Sequence, residues 1–328
     1  MKEKDIRPRG LFSRYLELCK KEAIEIFEGC SRVDIPCPGC GQVEAVHQFN
    51  KWGFDYATCN ECGSLFQTPR PDRNSFDRFY RDSRSADYWA NTFFPSVAEA
   101  RRIHLVRPKI EQIVELCGKD DFVPASLCEV GAGYGLFLDE WKKRFPEAKT
   151  IGIEPNPALA EKCRQKGLSI IEEFVEDATG YEENFDLIVA MEVIEHIHDP
   201  FQFCLALRRR MNAGGRALVT GPTVDGFDIQ VLWEHSRSVS PPHHLNLLSV
   251  SGFENLMKRA GFSLLRVFTP GHLDVEIVQK AVEEDPSQLS SHRFVSLLLS
   301  RGKDAQEEFQ TFLQEHRLSS HCWIWAAL

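Results

Sequence analysis

The sequence predicts an α/β protein with a Rossmann-like, seven-stranded, mostly parallel sheet, an N-terminal cysteine unit and helical insertions. From about residue 125, strand-length apolar segments alternate with helix-length segments, which is typical of a parallel sheet covered on both faces. A glycine-rich turn, "EVGAGYG" at 129–135, follows the first of these strands. Two Cys-x-x-Cys pairs precede this region, within residues 37–62.

The chain divides into six predicted segments. Their proposed bounds are 1–34 (an amphipathic helix), 35–70 (the cysteine unit), 71–122 (a helical lid or linker), 123–272 (the core), 273–316 (a helical insertion) and 317–328 (the last core strand). The predicted core strands are "SLCEVGAG", "TIGIEP", "LSIIEEF", "FDLIVAMEV", "RALVTGP", "SLLRVFTP" and, at the end of the chain, "SSHCWIWAAL".

Composition is that of a soluble globular protein with one sizeable core, since 43% of the 328 residues are hydrophobic and 27% charged. The net charge is −9. Proteins that bind nucleic acid usually carry a basic face, so we do not expect nucleic acid as a partner, although a local patch stays open. The sequence has no apolar run of membrane-spanning length and no signal-peptide pattern at its N-terminus. We therefore expect no membrane partner, and eleven cysteines suggest thiols and a metal in a reducing cytoplasm.

The glycine turn indicates a nucleotide-like ligand. Gly131, Gly133 and Gly135 allow a ligand to approach the backbone, and the next helix begins with unpaired N–H groups. The second strand ends at Glu154, whose carboxylate can accept hydrogen bonds from both hydroxyls of a ribose. A nicotinamide cofactor is the alternative, but the G-x-G-x-G spacing differs from the dinucleotide pattern G-x-G-x-x-G.

Together with "EDA" after the third strand and "FDLIVAMEVIEHIHDP" along the fourth, these residues resemble the class I S-adenosylmethionine-dependent methyltransferases. The resemblance covers about 120–272 and the last strand. It implies that S-adenosylmethionine is the cofactor. The residues that it places around this cofactor are Glu129, Gly131, Ala132, Gly133 and Gly135 at the amino-acid end, Glu154 at the ribose, Asp177 near the adenine, and Met191 and Glu192 beside the methyl group.

Histidines supply candidate bases for the acceptor. Methyl transfer requires an oriented acceptor and removal of its proton, and a histidine titrates near neutral pH. Glu195 and His196 follow the fourth strand, and His243 and His244 follow the fifth. In the alternative interpretation, His196 only holds its loop by a hydrogen bond, and His243 is exposed while His244 alone faces the pocket.

Two tyrosines of the helical stretch, Tyr80 and Tyr88, are candidate substrate contacts. Packing explains an aromatic stripe on a helix equally well.

The segment "MEVIEH" also resembles ubiquinone-pathway O-methyltransferases, in which two glutamates and a histidine take part in binding magnesium. That resemblance implies Glu192, Glu195 and His196 as Mg²⁺ ligands. Many relatives share the motif with no metal, so magnesium is the less favoured prediction.

The cysteine unit predicts a structural zinc site. Cys37, Cys40, Cys59 and Cys62 form two Cys-x-x-Cys pairs, each followed by glycine, as in a four-thiolate zinc ribbon. Four protein ligands fill a tetrahedral site and leave no position for substrate. An iron ion is the alternative for such a site. The aromatic residues within the unit could shape the acceptor pocket or simply pack; they are Trp52, Phe54 and Tyr56.

The combination of a four-cysteine unit, this core and a histidine loop resembles bacterial sugar and small-molecule methyltransferases, above all the C-methyltransferases of deoxysugar nucleotides. Here Pro242-His243-His244 departs from their loop, which leaves C-, O- and N-methylation open. We therefore expect methyl transfer to a sugar, a sugar nucleotide or a related metabolite, with a histidine as general base. One alternative is an RNA methyltransferase that uses the zinc ribbon for substrate recognition, and another is a non-catalytic zinc-ribbon adaptor. The oligomeric state is not predicted.

Overall fold

A computed structural model describes residues 3–180, 184–289 and 292–328, apart from a few side chains near the N-terminus and at 77 and 80–82. The N-terminal part contains two helices and short antiparallel strands. Its elements are α1 (Glu3–Ile6), α2 (Arg9–Glu25), β1 (Arg32–Val33), β2 (Ala45–Lys51), β3 (Phe54–Cys59), β4 (Leu65–Gln67) and β5 (Arg70–Pro71). Strands β2, β3 and β4 form an antiparallel meander, and β1 pairs with β5.

A helical path follows and leads to the core. It consists of α3 (Arg73–Asp82), α4 (Arg84–Tyr88), α5 (Phe94–Arg101) and α6 (Arg107–Lys119), and two π-helical turns (Trp89–Phe93 and Arg102–Val106) join the last three helices. Asp72 and Ser83 cap α3 and α4 by accepting hydrogen bonds from backbone N–H groups inside the first turns.

The remaining chain forms the predicted α/β core with its helical insertion. In chain order the elements are β6 (Ser126–Val130), α7 (Leu136–Arg144), β7 (Lys149–Ile153), α8 (Pro157–Gln165), β8 (Ile170–Ile171), β9 (Phe185–Met191), α9 (Pro200–Arg209), β10 (Met211–Pro222), α10 (Phe227–Leu232), β11 (Asn246–Leu247), α11 (Val250–Arg259), β12 (Ser263–Phe268), α12 (Asp274–Glu284), α13 (Arg293–Leu299), α14 (Lys303–Glu315) and β13 (His321–Ala327).

The main sheet has seven strands in the order β12-β13-β10-β9-β6-β7-β8. Strand β13 is antiparallel to both of its neighbours, and the other pairings are parallel. Buried apolar side chains on both faces form two large clusters, one with α9 and α11 and the other with α6 and α7. The predicted fold class, a Rossmann-like and mostly parallel sheet, is confirmed.

The strand order reverses between β6 and β9, because β7 and β8 lie on one side of β6 and β10 on the far side of β9. In open α/β sheets a ligand binds at such a point, beyond the carboxyl ends of the strands. The glycine turn, Glu154, Glu192 and the predicted histidines all follow strands at this edge.

The cysteine unit is joined to the core by a strand that the sequence analysis did not predict. Strand β11 pairs with β4 and completes a four-stranded sheet in the order β11-β4-β3-β2. Because β11 begins two residues after His244, this sheet extends to the histidine loop. The proposed segment bounds stay a prediction, although one strand of the segment 123–272 lies in the sheet of 35–70.

None of the described helices combines the length and the apolar character needed to cross a lipid bilayer.

Candidate active site

The turn between β6 and α7 can accept only glycine at two positions. Gly131 has φ +75°, and a Cβ atom there would lie 2.4 Å from Cγ2 of Val193. Gly135 has φ +70°, and its Cβ would lie 2.7 Å from Leu168 and 2.8 Å from the sulfur of Cys163. The turn is therefore packed against the segment that follows β9, which brings the glycine turn and the histidine region together.

Two carboxylates flank this turn. Glu154 accepts hydrogen bonds from the N–H of Gly133 (2.7 Å) and of Asn156 (2.9 Å), and burial raises its pKa. Each of its oxygens can still accept a second hydrogen bond. Glu129 is buried, and its Oε2 has no hydrogen-bond partner among the described residues. Burial raises the pKa of Glu129 well above its ordinary value.

This arrangement fits S-adenosylmethionine, the cofactor implied by the sequence. A ligand ammonium group would compensate the buried Glu129 carboxylate, and ribose hydroxyls could donate to Glu154. Ala132 is buried within the turn, and Met191 is half-buried at the end of β9. The individual roles of these residues stay predictions.

Contrary to the sequence prediction, Asp177 does not directly follow the third core strand. Its side chain is 62% exposed and lies 3.5 Å from Arg73. Strand β8 ends at Ile171, several residues earlier. A contact of Asp177 with the adenine stays a prediction.

Glu192 is held by a network that the sequence analysis missed. Its backbone has φ +57°, a strained conformation for a residue with a side chain. Its Oε1 accepts a hydrogen bond from Thr220 (2.8 Å) and lies 3.7 Å from Nζ of Lys109, and its Oε2 lies 2.9 Å from Nδ1 of His321. His321 begins β13 opposite Pro222 at the end of β10. Since β13 is antiparallel, its first residue lies at the ligand edge, and that rule could have identified His321.

The charges of this network are mutually stabilising. Burial raises the pKa of Glu192, but His321 and Lys109 lower it by more, so that it lies well below its ordinary value. Burial lowers the pKa of His321, and Glu192 raises it by more. Glu192 and His321 therefore each favour the charged form of the other.

His196 and His244 come together at the carboxyl ends of β9 and β10. Their ring centroids are 4.9 Å apart. Nδ1 of His196 lies 2.9 Å from the carbonyl oxygen of His243, and Nδ1 of His244 lies 2.6 Å from that of Ser238. A carbonyl oxygen can only accept, so each Nδ1 carries a proton, and in a neutral ring the lone pair is on Nε2.

Burial favours the neutral form of both rings. Burial lowers the pKa of His196, and it lowers that of His244 to about 3. Glu195 lies beside them, with Oε1 3.8 Å from Nε2 of His196. Its side chain is 3% exposed, and burial together with the charge of Glu192 raises its pKa well above the ordinary value.

His243 is buried, so the interpretation that it is an exposed residue is wrong. Its Nε2 lies 3.1 Å from Oγ of Ser85, and its ring packs against Tyr15 and Phe79 with centroids 5.7 and 4.9 Å apart. The ring is enclosed because α2 and α3 cover this side of the loop. His243 thus joins the N-terminal helices to the histidine loop.

The two tyrosine predictions have different outcomes. The side chain of Tyr80 lies outside the described residues. Tyr88 is half-buried, packs beside Phe12 and Phe93, and donates a hydrogen bond to the carbonyl oxygen of Leu11 (3.3 Å). A substrate contact by either tyrosine stays a prediction.

The four predicted cysteines meet in one cluster that could hold a metal ion. Sulfur atoms are 3.5 Å apart both in the pair Cys37/Cys62 and in the pair Cys40/Cys59. Four thiolates around one zinc ion, at about 2.3 Å each, stand about 3.8 Å apart. The observed spacing therefore fits a tetrahedral ion if the sulfur–sulfur distances increase slightly.

Contacts of the cysteine unit fix the histidine loop. Tyr56 is fully buried, and its hydroxyl donates to the carbonyl oxygen of His244 (2.7 Å). Nε2 of Gln67 donates to the same oxygen (3.1 Å), and the N–H of Gln67 donates to Leu245 (2.9 Å). Of the other two aromatic residues, Phe54 is buried against Phe27 and Trp52 is half-buried.

Comparison with known proteins identifies relatives of the core. The model of a family described as a methyltransferase domain matches residues 100–267. A tRNA U34 carboxymethyltransferase of Sulfurovum is 26% identical over 145 residues, which are 42% of this chain and 48% of that protein. The tRNA U34 carboxymethyltransferase of Pseudomonas fluorescens is 28% identical over 148 residues, 43% of this chain and 46% of the relative. The chain thus spans about half the length of the curated relatives that it matches.

Among solved structures, an S-adenosylmethionine-dependent methyltransferase from Archaeoglobus fulgidus is 14% identical, with a TM-score of 0.42. The match covers 62% of this chain and 86% of that one.

Proposed function

The chain belongs to the methyltransferase-domain family and is an S-adenosylmethionine-dependent methyltransferase, and from that premise we propose that it modifies a nucleoside of a tRNA at the cluster of Glu195, His196 and His244. The observation that carries the site is the pair of neighbouring histidines, both anchored through Nδ1 to backbone carbonyl groups. Val193 packs against Gly131, so this cluster lies next to the glycine turn.

The residues have distinct tasks in this proposal. When bound, S-adenosylmethionine would supply the methyl group to the acceptor's lone pair, and its sulfur would keep the electron pair of the broken bond as S-adenosylhomocysteine. Glu129 binds the ammonium group, and Glu154 orients the ribose. Nε2 of His196 or His244 accepts the acceptor's proton. The negative charge of Glu192 favours the protonated form of both rings.

The names of the relatives support an RNA acceptor over the sugar acceptor that the sequence analysis preferred. They also conflict with our expectation that nucleic acid is not a partner. That expectation depended on the net charge of −9, and total charge does not describe one local surface. A single nucleoside turned out of its strand can enter a pocket that would exclude a helix.

A small metabolite, such as a sugar nucleotide, is the second candidate, because the N-terminal helix covers the histidine loop. Tyr15 of α2 packs on His243 and on Trp89, with ring centroids 5.7 and 4.9 Å apart. A covered pocket favours a small acceptor that fits inside it completely.

Release of S-adenosylhomocysteine, measured with total tRNA and with a panel of sugar nucleotides, tests these candidates. We expect turnover with tRNA, and we expect His196→Ala and His244→Ala to reduce it at unchanged cofactor affinity. The mass added to the RNA distinguishes a methyl from a carboxymethyl product. Turnover with a sugar nucleotide and none with tRNA would show that the RNA proposal is wrong.

We also propose that Cys37, Cys40, Cys59 and Cys62 hold a structural zinc ion, as the sulfur spacing supports. All four positions of a tetrahedral ion are then filled by protein, so this ion takes no part in the reaction. Cys59→Ser should lose the ion and lower the melting temperature. An unchanged zinc content in that variant would contradict the assignment. A cytoplasmic location stays a prediction.

A further inference from the structure

We propose that Glu195, His196 and His244 form a second metal site, which holds one divalent ion of the zinc type on the acceptor side of the cofactor pocket. The ligand atoms that these three side chains offer all lie within 4.8 Å of one another. Metal binding by this site is independent of the acceptor's identity, whereas its chemical role depends on the function proposed above.

The spacing of the ligand atoms is close to that of a coordinated ion. Oε1 of Glu195 and Nε2 of His196 are 3.8 Å apart. Two ligands at about 2.1 Å from one zinc ion stand about 3.4 Å apart in a tetrahedral site. A small rotation of the two side chains would therefore bring both atoms onto one ion.

The two histidines are anchored in the manner of metal ligands. Each imidazole donates its Nδ1–H to a backbone carbonyl oxygen, His196 to His243 (2.9 Å) and His244 to Ser238 (2.6 Å). Such hydrogen bonds fix the tautomer and the ring orientation of zinc-binding histidines, and they direct the lone pair of Nε2 at the metal.

Glu195 supplies an independent indication of a cation. Its side chain is 3% exposed, and Oε2 has no hydrogen-bond partner among the described residues. A buried carboxylate without a compensating charge or hydrogen bond is costly. Nζ of Lys109 lies 3.7 Å from Oε1 of Glu192 and forms its ion pair with that carboxylate. A metal ion between Glu195 and the two rings would provide the compensating charge.

This ligand set differs from the one implied by the ubiquinone-pathway resemblance. Both oxygens of Glu192 are engaged, by Thr220 and His321, and Glu192 is not a member of the cluster. His244 takes its place. Two imidazoles and one carboxylate favour zinc or a similar transition-metal ion over magnesium, which prefers oxygen ligands.

The second site would be open, in contrast to the four-cysteine site. Three protein ligands leave one tetrahedral position for an oxygen or nitrogen atom of the acceptor. With this ion bound, Nε2 of His196 and of His244 would be metal ligands and would not act as bases. The metal would instead lower the pKa of an acceptor hydroxyl group, whose proton would pass to solvent water.

Zinc content of the full-length protein, measured by elemental analysis after zinc loading and gel filtration without acceptor, tests the site. We expect two zinc ions per chain in the parent protein and one in both Glu195→Gln and His244→Ala. His235→Ala is the matched control, because His235 is an exposed histidine 3.6 Å from a glutamate; it should retain two. Thermal melting and cofactor binding establish that each variant is folded, and Glu195→Gln preserves side-chain shape.

One zinc ion in the loaded parent protein, or two in both site variants, would overturn the proposal. Loss of an ion in His235→Ala would indicate adventitious surface binding and would equally overturn it. A parallel titration with magnesium should give no binding that depends on His244. Because none of these measurements contains an acceptor, their failure is distinguishable from failure of the proposed function, which only the turnover assays address.

Discussion

Glu129 is the residue whose geometry most directly indicates the cofactor's charge. Its carboxylate is buried, and Oε2 lacks a hydrogen-bond partner among the described residues. Glu129→Gln should weaken the binding of S-adenosylmethionine about 10- to 100-fold, because a hydrogen bond to a charged group contributes about 1.5–3 kcal/mol. Stability of the ligand-free protein should stay the same or rise, since a buried charge is removed.

Isothermal titration and thermal melting measure both effects. Glu161→Gln, which changes an exposed carboxylate on α8, is the matched control and should leave affinity unchanged. Equal affinity in Glu129→Gln and the parent protein would exclude Glu129 as the ammonium ligand.

The pair of Glu192 and His321 predicts a defined dependence of stability on pH. The pKa of His321 is raised in the folded protein, so its contribution is fully present below the unfolded value of about 6.5 and is lost as pH rises through the folded value. The pKa of Glu192 is lowered, so its contribution is present above about 4.3 and is lost as pH falls through the folded value.

The melting-temperature difference between the parent protein and His321→Gln should therefore be largest near pH 5–6 and should shrink at alkaline pH. We expect an energy of about 0.5–1 kcal/mol at the maximum, because solvent reaches the pair and screens it; the His321 side chain is 39% exposed. A difference that is independent of pH would show that His321 acts only by packing.

At the scale of elements, the features that the sequence predicts are those with a local pattern. Strand β9 is predicted because a strand covered on both faces contains a continuous apolar run, here "LIVAM" at 187–191. Glu154 was found because the second strand ends just before it. His321 and Lys109 were missed because they come from β13 and α6, far from Glu192 in sequence. Strand β11 was missed because a two-residue strand has no periodicity.

The contact between β3 and the histidine loop yields a third prediction. Tyr56→Phe removes the hydroxyl that donates to the carbonyl oxygen of His244. We expect a loss of about 1 kcal/mol in the free energy of unfolding. Because His244 is then held less firmly, turnover should fall several-fold while cofactor affinity is unchanged.

Thr58→Val is the control on the same strand. The Thr58 hydroxyl has no hydrogen-bond partner among the described residues, so its removal should be nearly neutral. If Tyr56→Phe lowers stability and leaves the catalytic rate unchanged, the cysteine unit supports the fold without positioning His244.

At the scale of the whole molecule, the four-cysteine unit and the core should unfold together. Strand β11 of the core completes the sheet of the unit, and Arg70 of β5 donates hydrogen bonds to His198 (2.8 Å) and Asn246 (2.9 Å). Arg70 is fully buried. Separation of the two parts would therefore expose its guanidinium group or leave it buried without hydrogen-bond partners. Loss of the zinc ion should therefore destabilise the core as well as the unit.

Differential scanning calorimetry of Cys59→Ser measures this coupling, since the variant leaves the histidine cluster intact. We expect one cooperative transition in the parent protein and one in the variant, with the midpoint lower by at least about 5 °C because the loss of several kcal/mol is shared by the whole chain. Below that transition, cofactor affinity should be retained, since the glycine turn and Glu154 belong to the core and not to the four-cysteine unit. Two transitions in the variant, an early one for the unit and an unshifted one for the core, would mean that β11 does not unite them. In that case the histidine loop would have to keep its geometry without the cysteine unit, and Tyr56→Phe should then have no effect on turnover.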